Sequence, residues 1–200
     1  MPTYFLFFLA TLATALLLYG GGLATLAVRR RALPGWLGGK ATNVVQAGGL
    51  ALLWINVGVT WLLFFNVYRI HVDMSAFGNA AFQGFTTGYT RRLPIVVLPY
   101  GAMCLAWSLL LWSVPTRFSR GGMWAIATLL IVSVASTPWA AGALGLMHDH
   151  GYSDDAQFQL QAAHLVRSLS VTLAALWALV EMWRLPAPPV RAQASPQMAA

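Results

Sequence analysis

Five long apolar segments dominate the pattern of hydrophobic and polar positions along the chain. They cover residues 4–28, 44–68, 94–114, 123–145 and 156–183. Each holds roughly 20 or more residues, which at about 1.5 Å per residue lets a helix cross a hydrocarbon core of about 30 Å. We therefore predict an all-α integral membrane protein with five transmembrane helices. Residues 1–185 would form a single bundle, followed by a Pro/Ala-rich cytoplasmic tail over residues 186–200.

The polar stretch between the second and third segments has a helical pattern of its own. Its aromatic and small residues at spacings of three and four are Phe77, Ala81, Phe85 and Gly88. This spacing predicts an amphipathic helix that lies in the membrane interface and turns its aromatic side chains toward lipid or the bundle. Asp73 and Ser75 would cap its start. Arg91 and Arg92 would close it at the level of the lipid headgroups.

The composition supports a membrane protein and argues against a nucleic-acid-binding one. Only 8% of the residues are charged and 58% are hydrophobic, whereas soluble domains carry about 25% charged residues. The net charge is +7, but most basic residues flank the apolar segments, as topology signals do. We therefore expect the lipid bilayer to be a partner and nucleic acid not to be one.

The distribution of Lys and Arg among the connections predicts the orientation of the chain. One side carries Arg29, Arg30, Arg31, Lys40, Arg117, Arg120, Arg184 and Arg191, and the other carries Arg69, Arg91 and Arg92. The positive-inside rule then places the C-terminus in the cytoplasm and the N-terminus in the periplasm of a bacterial inner membrane. All four histidines and four of the five acidic residues would lie at the periplasmic face.

The chain resembles a family of small bacterial four-span membrane proteins over about residues 50–182. The matching positions are Gly78, Ala81, Phe82, Thr90, Arg91, Arg92, Pro99, Thr137, Pro138, Arg167 and Ser168. Most members of this family have no known function, and the wider group includes anthrone-oxygenase-like proteins. The chain departs from the family in its extra first span and in Thr86 and Tyr89, where members often carry His. The resemblance thus implies a polytopic helical fold. A metal site of the kind the family would use at these two positions would be absent or built from other residues.

Histidine residues supply the candidate metal ligands. His148 and His150 flank Asp149 in a predicted loop, and two imidazoles beside a carboxylate can bind Cu or Zn. The alternative is a solvated polar loop. His71 at the end of the second span could complete a Cu, Zn or Fe site with His164, or the two could ligate a haem from two helices.

A polar face on the last span supplies a second candidate site. Its members are Asp154, Gln157, Gln161, His164 and Ser168, which repeat every three or four residues, and Arg167 lies beside them. A cation near hydrocarbon normally faces the bundle interior, a cavity or a partner. His164 and Arg167, with Gln161 and Ser168, could bind an anionic headgroup, a quinone oxygen, or a metal completed by His71. The alternative is a buried hydrogen-bonded pair that fixes the helix register.

Three function hypotheses follow. The first is a structural or accessory subunit that packs against other membrane proteins, against a second copy of this chain, or against cofactors or lipids. The second is a membrane oxidoreductase or oxygenase-like enzyme with a periplasm-facing metal or quinone site. The third is a small-molecule or lipid transporter. The sequence has no Gly-rich phosphate loop, His-Glu-x-x-His or Gly-x-Ser-x-Gly motif, which argues against NTPases, zinc peptidases and serine hydrolases.

Reporter fusions to the two termini test the predicted orientation. A reporter that is active only in the cytoplasm should be active at the C-terminus and inactive at the N-terminus, because the basic connections remain inside. A C-terminus on the external side would contradict the prediction.

Overall fold

The computed structural model describes residues 3–28, 39–115 and 117–183, and within these ranges the chain is helical and contains no strand. The elements are α1 (Thr3–Val28), α2 (Gly39–Leu62), a π-helical turn (Leu63–Val67), α3 (Tyr68–Ser75), α4 (Asn79–Arg92), α5 (Pro94–Trp112), α6 (Arg120–His150) and α7 (Asp154–Trp183). Five helices are long and apolar enough to cross a membrane. The predicted all-α bundle with five spans is confirmed, and the chain is a multi-pass membrane protein. The predicted tail lies outside the described residues.

The second span is longer than its apolar pattern indicated. α2, the π-helical turn and α3 form one continuous helix, Gly39–Ser75, whereas the prediction ended the span at residue 68. The π-helical turn directly precedes Tyr68. Wide turns of this kind occur mostly as single insertions in α-helices and often at functional sites. The extension places His71 inside a helix and gives it no exposure to solvent.

A separate helix between the second and third spans is confirmed, but its start and its buried face differ from the prediction. Asp73 and Ser75 belong to the last turns of α3, and the Ser75 hydroxyl donates to the Val72 carbonyl at 2.7 Å instead of capping α4. α4 begins after Gly78, whose φ of 90° favours glycine. Its buried residues are Phe82 and Thr86. Each follows one of the predicted positions Ala81 and Phe85 by one residue, so the buried face is rotated relative to the predicted one.

The fourth span is also longer than predicted and replaces most of the expected His-Asp loop. α6 continues through His150 and ends at Gly151, which has a φ of 90°. A Cβ at Gly151 would lie only 2.7 Å from the Asn79 side-chain oxygen. The end of α6 therefore lies against the start of α4, and α3, α4 and the α6–α7 turn meet at one end of the bundle.

Tryptophan indoles join the spans by hydrogen bonds across helix interfaces. Trp112 of α5 donates to the Leu18 carbonyl of α1 at 3.0 Å, and Trp107 donates to the Gly49 carbonyl of α2 at 3.1 Å. Trp61 of α2 donates to the Thr172 hydroxyl of α7 at 2.9 Å. α5 is therefore held between α1 and α2, and α2 is held to α7.

The antiparallel α6–α7 pair has the most extensive interhelical contact in the described fold. In the last third of α7, Ala174, Ala175 and Ala178 have no exposed surface, and small residues allow close helix approach. At the end opposite the His-containing turn, the fully buried Glu181 accepts from the Ser119 amide at 2.7 Å and from its hydroxyl at 3.0 Å. The Ser119 hydroxyl in turn caps α6 by accepting from the Gly122 amide.

Replacing Glu181 with Ala should destabilise the bundle by about 2 kcal/mol, because the substitution removes a charged acceptor of two hydrogen bonds. Thermal unfolding in mild detergent measures the effect. Asp149→Ala, at an exposed position near the other end of α6, is the matched control and should leave the midpoint unchanged. Equal midpoints for Glu181→Ala and the wild type would contradict the assigned role.

Candidate functional site

A cavity of about 90 Å³ lies where the spans converge. Its polar lining comes from Asn56, Thr60, Tyr68, Tyr89, Tyr100, Thr137, His164 and Arg167. Its apolar lining comes from Phe8, Leu63, Leu93, Val96, Val97, Ala140, Ala141, Leu144 and Leu160. A mostly apolar cleft with a few convergent polar groups is the usual form of a small-molecule site.

Arg167 is the charged group of this cavity. It lies near the middle of α7, thirteen residues after Asp154, which corresponds to about 20 Å of helix. One terminal nitrogen donates to the Thr137 hydroxyl of α6 at 3.0 Å, and the other approaches His164 Nε2 at 3.4 Å. The guanidinium carbon lies 5.5 Å from the centre of the Tyr100 ring, a cation–π arrangement.

No carboxylate balances this charge within the described part of the chain, which contains all five acidic residues of the sequence. Four of them, Asp73, Asp149, Asp154 and Asp155, are exposed at one end of the bundle. The fifth, Glu181, binds Ser119 at the opposite end. The Nε atom of Arg167 is buried and has no hydrogen-bond acceptor among the described residues. Arg167 is therefore an intramembrane cation whose protein contacts are all neutral.

His164 is held in one tautomer by its neighbours. Its Nε2 atom contacts the Tyr68 hydroxyl and also faces an Arg167 N–H, which can only donate. This hydrogen-bond pattern assigns Nε2 as the unprotonated acceptor of a neutral ring, which places the proton on Nδ1. That Nδ1 atom is buried and has no acceptor among the described residues. Together with Arg167 Nε, it gives the site a second unused N–H donor.

Tyrosine hydroxyls extend the network away from His164. Tyr68 has only 2% of its surface exposed, and its hydroxyl also interacts with that of Tyr89 in α4. Burial raises the pKa of Tyr89, so its phenol stays protonated near neutral pH. The Gln157 amide fixes the backbone of this region by donating to the Tyr68 carbonyl at 2.7 Å. On the other side of Arg167, the Tyr100 hydroxyl pairs with the Ser133 hydroxyl at 2.7 Å.

His71 also lies near the Tyr68 ring and is enclosed by aromatic rings. Its ring centre lies 5.1 Å from that of Phe85, 5.7 Å from Tyr89 and 5.6 Å from Tyr68. Its Nδ1 atom donates to the Val67 carbonyl at 3.1 Å, while its Nε2 atom is buried and has no partner in the described part of the chain. His71 and His164 therefore approach the same tyrosine from two helices.

The remaining predicted residues differ in how far they are from the cavity and in how exposed they are. His148 and His150 are exposed in the last turn of α6, and residues two apart on a helix point to different sides. Ser168 is fully buried beside the site, and its hydroxyl has no partner within the described ranges. Gln161 is half-buried and does not line the cavity. The predicted interface residues Arg91, Arg92 and Phe77 are exposed, and Phe85 packs on His71.

The donor groups are arranged for hydrogen bonding more than for metal binding. No group of three or more His, Cys, Asp or Glu side chains within the described ranges is placed to hold a metal ion. The Nε2 atom of His164 is already used by Tyr68 and Arg167. The Cu, Zn, Fe and haem hypotheses stay predictions from the sequence without support from this geometry.

Tyr68, Tyr89 and Tyr100 are the site residues that sequence reasoning missed. Tyr68 stands three positions before His71, a spacing that places both on one side of a helix, and this was a usable signal. For Tyr100 no local signal existed, because its role depends on Arg167 and Ser133 from other helices.

Comparisons with known protein families, with curated proteins and with solved structures found no match to this chain. Two positions of the resemblance do meet in space, since Thr137 accepts a hydrogen bond from Arg167 across thirty residues of sequence. The family assignment itself stays an expectation.

Nitrogen NMR spectra of protein labelled at histidine should show His164 as a neutral ring protonated on Nδ1 near neutral pH, because Arg167 and Tyr68 face Nε2. His164→Gln assigns the signal. Tyr68→Phe should shift it, whereas Tyr152→Phe, which removes a hydroxyl that bonds the exposed Asp154, should not. A His164 signal protonated on Nε2 would contradict the network.

Proposed function

We propose that this membrane protein binds a lipid-soluble small molecule through an acceptor oxygen that reaches Arg167 in the cavity. The observation that carries the proposal is a guanidinium that lines the cavity and whose contacts among the described residues are all neutral. Polar and charged groups within membrane spans are costly, and they usually mark a ligand, ion or proton site. A ligand oxygen would supply the acceptor that the described residues do not.

The composition of the cavity wall supports an amphipathic ligand. Donor groups from Arg167 and His164 lie among apolar side chains of several helices. A volume of about 90 Å³ is well below the roughly 300–1,000 Å³ of sites that enclose a whole drug-sized ligand. Only the polar head of such a molecule would enter, and the apolar remainder would stay among lipid-facing side chains.

The oxidoreductase or oxygenase-like hypothesis is a specific case of this proposal. A quinone or another carbonyl compound presents the required oxygen. The Tyr68–His164 pair supplies a hydroxyl and an imidazole in contact, a combination that can move a proton between a bound molecule and the protein. This arrangement supports the enzyme hypothesis more than the transporter hypothesis.

The accessory-subunit hypothesis, which the sequence favoured, stays a prediction. The exposed apolar side chains of the spans suit a lipid bilayer, and no described residue points to a particular protein partner. Ligand binding takes first place because it explains why a partly buried cation lines the cavity, whereas association with other subunits does not explain Arg167.

Analysis of compounds that copurify with the protein tests the proposal. Protein extracted in mild detergent is compared by mass spectrometry with Arg167→Gln and with Arg91→Gln, the latter at an exposed arginine in α4. Wild type and Arg91→Gln should retain a lipid-soluble compound with a carbonyl or acidic oxygen. Arg167→Gln should retain at least about tenfold less, since a hydrogen bond to a charged group contributes roughly 1.5–3 kcal/mol.

Thermal unfolding of all three proteins excludes a folding defect as the cause. Identical compound profiles in the three folded proteins, or a wild type that retains no such compound, would contradict the proposal.

A further inference from the structure

We propose that the ligand of the Arg167 cavity is a lipid-soluble monocarboxylic acid, bound as its carboxylate, rather than a neutral carbonyl compound. This inference rests on the proposed function, because it names the chemical class of the molecule bound there.

The charge of the site favours a single negative charge on the ligand. Arg167 is permanently charged, while Thr137, the Tyr100 ring and neutral His164 contribute no negative charge. No carboxylate from the described residues reaches the cavity, as its lining shows. A neutral quinone would accept a hydrogen bond but leave the positive charge unbalanced, which is costly in a medium of low dielectric constant. A monoanion would balance it.

The unused donors suit a group with two oxygens. A guanidinium carries five N–H donors in a planar fork, and acceptors in the described structure account for two of them, Thr137 and His164. The Nε edge of Arg167 is unused, and so is the Nδ1–H of His164. Carboxylates bind such a fork through two parallel hydrogen bonds, whereas a quinone presents one oxygen at a time.

The size of the cavity separates a carboxylate from other anions found in membranes. About 90 Å³ bounded by the side chains of six helices accommodates a carboxyl group and the first carbons of a chain. The phosphodiester of a phospholipid carries substituents on both sides, and a substituted quinone ring is wider. The apolar side chains Phe8, Val96 and Val97 at the wall suit an alkyl or ring tail.

Direct binding to the protein in phosphatidylcholine nanodiscs tests the assignment, with empty nanodiscs as background. The radiolabelled probe is palmitate at about pH 9, well above the usual carboxyl pKa of about 4. Methyl palmitate, decylubiquinone and phosphatidylglycerol are the competitors. Palmitate should bind about tenfold or more tightly than the ester or the quinone, and phosphatidylglycerol should not displace it.

Substitutions of Arg167 test whether the preference for palmitate over its ester depends on the guanidinium. Arg167→Gln should abolish the preference of the site for palmitate over its ester. Arg167→Lys keeps the charge without the fork and should retain the preference with weaker binding. Arg91→Gln should behave as wild type. Because two substitutions of Arg167 are compared, the test remains decisive if one of them fails to fold.

Ester or quinone binding as tight as that of palmitate would overturn the carboxylate assignment while the proposed binding site stands. Displacement by phosphatidylglycerol would overturn the free acid in favour of a lipid phosphate. Absence of specific palmitate binding would likewise overturn the assignment. The proposed function is judged separately, by the depletion of copurifying compounds in Arg167→Gln.

Discussion

The site depends on one interaction, the contact of the Arg167 guanidinium with neutral groups on neighbouring helices. Placing an arginine at the centre of a membrane helix costs about 2.5–3.5 kcal/mol on insertion scales. The hydrogen bond to Thr137 and the Tyr100 ring offset part of this cost and leave the charge itself unbalanced. That remaining imbalance is the physical basis of the proposed binding site.

The fold connects this cation to His164 within α7, and to His71 through Tyr68 of the extended second span. The second span continues past its π-helical turn, which lets Tyr68 contact His164 of α7 while His71 faces α4. The close approach of Gly151 to Asn79 holds α4 against the α6–α7 turn. Tryptophan hydrogen bonds at three helix interfaces hold the surrounding bundle. Local helix geometry therefore determines which polar groups meet.

The apolar pattern predicts the five spans, because burial in lipid demands long apolar runs. Helical spacing predicts the polar face of α7, because His164 and Ser168 stand one turn apart. It misses the ends of the second and fourth spans, because the sequence becomes polar before the helix ends, as at His71 and His150. The partners of Arg167 come from residues far apart in sequence. Their identity depends on helix rotation and packing, which composition and spacing do not encode.

The most direct test of the central claim is an experimental structure of the protein extracted from its native membrane. The account predicts density that belongs to no protein atom within hydrogen-bond distance of the Arg167 guanidinium, continuous with an apolar tail along the helices. An empty or collapsed cavity, or a guanidinium paired with a carboxylate of another protein chain, would contradict it.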